Sequence, residues 1–90
     1  MYLHLGSDVT VMTDEIIGIF DMDNTTVSAK TRAFLKQAQK NGEIYDVTED
    51  LPKSFIVTEY MKKNNVFISS LATSTLLKRA KSENFYKTGE

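Results

Sequence analysis

Apolar and polar positions alternate first over Tyr2-Leu3-His4-Leu5, and the run stops at Gly6-Ser7-Asp8, which has turn chemistry. Val9-Thr10-Val11-Met12 follows, so the opening residues predict a short β-hairpin. The apolar run 16–22, Ile-Ile-Gly-Ile-Phe-Asp-Met, is long enough for a strand and too short for a helix. From Ser28 to Asn41 the period changes. At about 100° per residue, Val27, Thr31, Phe34, Leu35 and Ala38 share one face, and Arg32, Lys36 and Lys40 form a stripe nearly opposite. Ser28 or Thr26 suits the N-cap of this helix, and Gly42 suits the left-handed position beyond its end.

Three further strand-like runs follow: EIYDVT (43–48), SFIVTEYM (54–61) and VFISSL (66–71). The segments between them are EDLPK and KKNN, and Lys62-Lys63-Asn64-Asn65 is expected to close a tight hairpin. Thr73 or Ser74 then caps a short amphipathic helix, with Leu76, Leu77 and Ala80 inward and Lys78, Arg79 and Lys81 outward. The order of strands, helix, strands, helix predicts an α+β fold: a small, mostly antiparallel sheet with one central and one C-terminal helix. Residues 1–81 are expected to form one domain. Residues 82–90 are expected to be a frayed tail whose Phe85 and Tyr86 can dock on a neighbour.

Ninety residues bury only a modest core, and oligomerisation is a common remedy for so short a chain. Cysteine is absent, which excludes disulfides, thiolate chemistry and cysteine-based zinc sites. No apolar run approaches the roughly 18 residues that span a bilayer, and the first residues lack a charged n-region and a long apolar h-region. The expected location is therefore the cytoplasm, away from any membrane. A net charge of −1 conceals an asymmetry. Residues 1–29 carry Asp8, Asp14, Glu15, Asp21 and Asp23 with no Lys or Arg, whereas all eleven basic residues lie from Lys30 onward against seven acidic ones. Such a basic portion suits an acidic partner.

Asp21-x-Asp23-x-Thr25 at the end of an apolar run resembles the first motif of the haloacid dehalogenase superfamily. That chemistry needs further groups: a Ser or Thr and a Lys on the phosphoryl group, and more carboxylates for Mg²⁺. It also needs a parallel sheet with helical crossovers. Asp46 stands alone and Glu49-Asp50 falls in a turn near Pro52, so the motif is read as a polar strand end turning into a helix. His4 is the only histidine, and the sequence signals no partners for a metal site or a catalytic triad. No enzyme, metal or cofactor is expected. The aromatics Phe20, Phe34, Tyr45, Phe55, Tyr60 and Phe67 fall mostly where strands or the helix need core, and are not read as a base-stacking platform.

MYLHLG with IIGIFD, then KSFIVT, then ISSLATSTLLKR, resembles the RemA- and RemB-like extracellular matrix regulatory proteins of Gram-positive bacteria, from Met1 to about Ala80. The resemblance implies a small non-enzymatic transcription regulator of matrix and biofilm genes. It also implies assembly into homo-oligomeric rings, DNA contact through basic residues, and a fold related to the LytTR-type DNA-binding domain. Repeated weak contacts around a ring add up by multivalency. Asp46-Val47-Thr48 and the closing Thr75-x-x-x-Arg79 follow the family pattern. Asp14-Glu15 stands where RemA-type proteins carry an Arg, and Glu49-Asp50-Leu51-Pro52-Lys53 replaces their arginine-rich turn. The candidate DNA contacts are therefore Lys53, Arg32, Lys36, Lys40, Lys78 and Arg79. The alternative is an interaction module of the same fold that assembles or binds a partner regulator, with a basic partner on the acidic N-terminal third, and touches no DNA.

Overall fold

Two-residue turns close both hairpins among the described residues. The computed structural model describes residues 2–25, 28–48 and 50–89, with backbone alone at 24–25 and 82–89. Strands β1 (Tyr2–Gly6) and β2 (Val9–Met12) pair antiparallel around Ser7 and Asp8, both at positive φ, as a tight hairpin turn requires. A single 3-10 turn over Thr13–Glu15 leads into β3 (Ile16–Asp21). The strand ends one residue earlier than expected, because the Asp21 carboxylate accepts the Asp23 N–H at 2.9 Å and turns the chain into the short helix α1 (Met22–Thr25). Helix α2 (Ala29–Lys40) has Ser28 as its N-cap residue, without the expected side-chain bond, and Gly42 at φ +72° just past its end. Thr26 and Val27, expected at the start of this helix, lie outside the described residues.

The chain then forms β4 (Ile44–Asp46), β5 (Ser54–Tyr60), β6 (Lys63–Ser69) and α3 (Thr73–Gly89). The second turn is not at Lys62–Asn65 but at Met61 and Lys62, both at positive φ. Register is the reason. Phe55, Val57, Val66 and Ile68 belong to the core on one side of the sheet, Ile56 and Phe67 to that on the other. The pairing that achieves this, Ile56 with Phe67, leaves only those two residues to turn.

The four-stranded sheet runs β3-β5-β6-β4, antiparallel except for the β4–β6 pair. Strands β3 and β4 therefore point the same way at opposite edges, and α2 carries the chain between them across one face. Leu35 and Ala38 of α2 pack there with Phe55, Val57, Val66 and Ile68. The β1–β2 hairpin and α3 cover the other face, where Leu3, Leu5, Val11, Val47, Ile56 and Leu76 form the larger core. The arrangement is three layers with β5 buried between them, an α+β fold. Residues 82–89 continue the backbone of α3, and the side chains of Phe85 and Tyr86 lie outside the described residues.

No backbone ladder joins the hairpin to the larger sheet; hydroxyl groups connect them. The Ser69 hydroxyl, fully buried, donates to the Leu5 carbonyl at 2.7 Å and accepts the Leu71 N–H at 3.0 Å. The Ser7 hydroxyl donates to the Val47 carbonyl at 3.1 Å. Ser69→Ala strands a buried carbonyl and an amide at once, and unsatisfied buried groups cost about 1–3 kcal/mol each. The expected loss is about 2 kcal/mol, read as a lower urea midpoint with unchanged slope.

Several side chains read as core are in fact exposed. Leu77, expected inward on α3, is 49% exposed because the helix turns only its Leu76 side to the core. Phe34 is 40% exposed, overhanging the open edge at β3, and Phe20, Tyr45 and Tyr60 are exposed as well, whereas Phe55 is buried and Phe67 half-buried. Tyr45 stacks on Phe67 at 5.3 Å on the other edge, and Phe20 on Phe55 at 5.0 Å. Phe20 and Tyr45 stand on the two edge strands, where one side finds no further strand.

Candidate nucleic-acid interface

Among the described residues, two grooves of different character flank α2. Toward β3 a bulge decides the first. Ile16 pairs with Thr58 and Gly18 with Val57, so Ile17 is an extra residue between them. Ile16 and Ile19 then both join the hairpin-side core, while Ile17 and Phe20 both line the α2 side. With Phe34, Phe55, Val57, Thr31, Asn64 and Lys30 they enclose an almost wholly apolar groove of about 380 Å³. Gly18 makes room for the Phe20 ring: a Cβ there would lie 2.5 Å from Phe20 Cζ.

The second groove, of about 400 Å³, lies toward β6 and β4. Its lining combines Met22, Leu35, Ile44 and Ile68 with the polar Arg32, Lys36 and Gln39. Arg32 and Lys36 sit one turn apart on α2, and both are exposed. The Met22 N–H donates to the Lys53 carbonyl at 2.9 Å, and the Lys53 N–H donates to the Ser69 carbonyl at 2.9 Å. The backbone of Lys53 is thus fixed beside Met22, at the end of the sheet where β3 finishes and β5 begins. Lys40 continues the same stripe about 6 Å beyond Lys36.

Four of the six candidate cations, Arg32, Lys36, Lys40 and Lys53, therefore belong to the α2 side and the adjoining end of the sheet. Lys78 and Arg79 do not join them. They ride on α3 in the opposite layer, and Arg79 Nη1 donates to the His4 carbonyl at 3.3 Å. Arg79 ties the last helix to the first strand within one chain, a contact between residues 75 positions apart that no local pattern announces.

The segment leading to Lys53 is shaped by Asp46. Its carboxylate accepts both the backbone N–H and the hydroxyl of Thr48. The side-chain bond first and the backbone bond second hold the carboxyl below the usual carboxylate range. This turn explains why β4 stops at Asp46 rather than at Thr48. Val47 still donates to the Ile68 carbonyl at 2.9 Å while its side chain enters the hairpin-side core. Glu49, one of the two acidic residues of the turn, lies outside the described residues, and Asp50 is exposed. Asp21 serves as a backbone acceptor at a strand end. Among the described residues no three His, Cys, Asp or Glu side chains converge on one point. Nor, among them, is any helix long and apolar enough to cross a membrane.

The fold is thus a three-layer α+β module with a cation-rimmed groove on its helical face. The RemA-like family, described as extracellular matrix regulatory protein A-like, matches residues 2–80. The extracellular matrix regulatory protein B of Bacillus subtilis (strain 168) is 42% identical over 80 residues, which cover 89% of this chain and 90% of that protein. The chain belongs to the RemA-like family.

Proposed function

We propose that this chain is a non-enzymatic regulator of extracellular matrix gene expression that acts in the cytoplasm, self-associates and contacts DNA directly. The observation that carries the DNA contact is the groove that Arg32 and Lys36 line together, with the backbone of Lys53 bonded to Met22 of the same lining and Lys40 one turn on from Lys36 along α2. Cations so arranged neutralise phosphates and release counterions, which gives affinity without base readout. The matrix role follows the name of the Bacillus relative, extracellular matrix regulatory protein B.

The test is fluorescence anisotropy with a promoter-length duplex at two salt concentrations. Binding that weakens steeply with salt is the expected result. Absence of binding at low salt, by protein shown to be folded, would overturn the direct contact. A second reading, an interaction module that touches no DNA, is favoured by the apolar groove at Ile17, Phe20 and Phe34 beside the open β3 edge. Exposed apolar grooves of this kind suit protein partners.

A further inference from the structure

The groove toward β3 has a chemistry that contact with DNA does not use. Its floor is Phe55 and Val57 of β5, both buried, and Ile17, Phe20 and Phe34 around them are exposed. Large apolar side chains left open to water around one concavity mark a binding site. The groove is elongated. Its lining runs along the sheet from Phe55 to Asn64, and Asn64 pairs with Glu59, so four strand residues, about 13 Å, separate the ends. Its volume of about 380 Å³ falls within the range of small-molecule sites, about 300–1,000 Å³.

Charge selects the ligand. Among the described residues Lys30 is the only charged side chain of the lining, and no acidic residue stands in the first turn of α2. Nor, among them, does any group pair with the Lys30 ammonium, and Thr31 sets a hydroxyl beside it in the lining. A sugar or a nucleotide would leave its hydroxyl groups unpaired against Phe55 and Val57, at a cost. An alkylammonium would meet Lys30 with like charge. A methylene chain ending in a carboxylate meets neither obstacle. We propose that this groove binds a free medium-chain fatty acid, its acyl chain along β5 beside Phe20 and Phe34 and its carboxylate at Lys30 and the Thr31 hydroxyl. In this it departs from the second reading above, which gives the groove to a protein. No residue lines both grooves, so the acid can bind without covering Lys36, and the inference does not rest on the DNA contact.

The test is calorimetric titration of the full 90-residue chain with octanoate, decanoate and dodecanoate, each below its micellar concentration. Saturation at one acid per chain is expected, with Kd falling about fourfold for each added methylene while the groove has room. Decanol and decylammonium are the comparison ligands, and decylammonium is expected to bind at least about tenfold more weakly than decanoate. Lys30→Glu is expected to weaken decanoate about tenfold and to leave decanol unchanged, whereas Phe34→Ser weakens both alike by about tenfold. Circular dichroism verifies the fold of each variant. Should Phe34→Ser unfold the chain, Ile17→Asn takes its place, at a side chain that is 59% exposed. Equal affinity for decanoate, decanol and decylammonium overturns the site and leaves only partition onto apolar surface. An affinity for decanoate that neither the Lys30 variant nor the apolar variant changes overturns it as well. Absence of saturable heat also overturns it, and returns the groove to a protein segment or a second copy, without touching the measurement on DNA.

Discussion

Ile56→Ala is expected to lower the stability of the chain by roughly 2–5 kcal/mol. Ile56 lies at the centre of β5, fully buried, with its side chain in the core that the hairpin and α3 complete. Truncation removes apolar surface from this core and leaves a cavity bounded by Leu3, Leu5, Val11, Val47 and Leu76. Collapse of the cavity is resisted from both sides. The hairpin is pinned by the Ser69–Leu5 and Ser7–Val47 hydrogen bonds, and β5 is held in two antiparallel ladders. Small domains hold about 5–15 kcal/mol in all, so this one change consumes a large part of the total. Urea unfolding followed by circular dichroism measures it as a lower midpoint with the same slope. A loss under about 1 kcal/mol would mean that the hairpin layer settles onto the sheet and fills the space.

The second large effect concerns the cations. Lys36→Glu with Lys53→Glu is expected to reduce affinity for duplex DNA by about a hundredfold at low salt, and to flatten the dependence of log K on log salt by about two contacts. Both reversals fall on the α2 side and its adjoining sheet end, so each removes an attraction and adds a repulsion to the same surface. Lys78→Glu makes the control. It has the same change of charge on α3, in the opposite layer, and is expected to alter affinity far less. Anisotropy across a salt series distinguishes the outcomes: equal losses in all variants would reduce the effect to net charge and remove the groove from the account.

Much of this architecture was legible in the chain because it is written locally. The Gly6-Ser7-Asp8 turn, the 3.6-residue period of α2 and the glycine beyond its end each act over a few residues, and each recurs in the structure close to its predicted place. What escaped is what depends on distant partners. The bulge at Ile17 exists because β3 must match β5 across 40 residues, and it alone turns Ile17 and Phe20 to the same side. The parallel pairing of β4 with β6 depends on α2 crossing the sheet, which periodicity does not encode. The site divides in the same way. The spacing of Arg32, Lys36 and Lys40 gave their common stripe directly. The neighbourhood of Lys53 needed the Met22–Lys53 hydrogen bond, and the separation of Lys78 and Arg79 needed the layer order.

The hairpin's attachment by side chains alone has a consequence for how the molecule breathes. A strand in a ladder can leave only by breaking the ladder, whereas β1 and β2 can lift as a unit and keep their own pairing. Amide protons should register this as two tiers of exchange. Those of the β5–β6 ladder wait for global unfolding, and those of the hairpin escape through a shallower opening that exposes Ile56 and Leu76 for a moment. Residues 2–12 then behave as a hinged cover over the core, and the serine at position 69 is one of its latches.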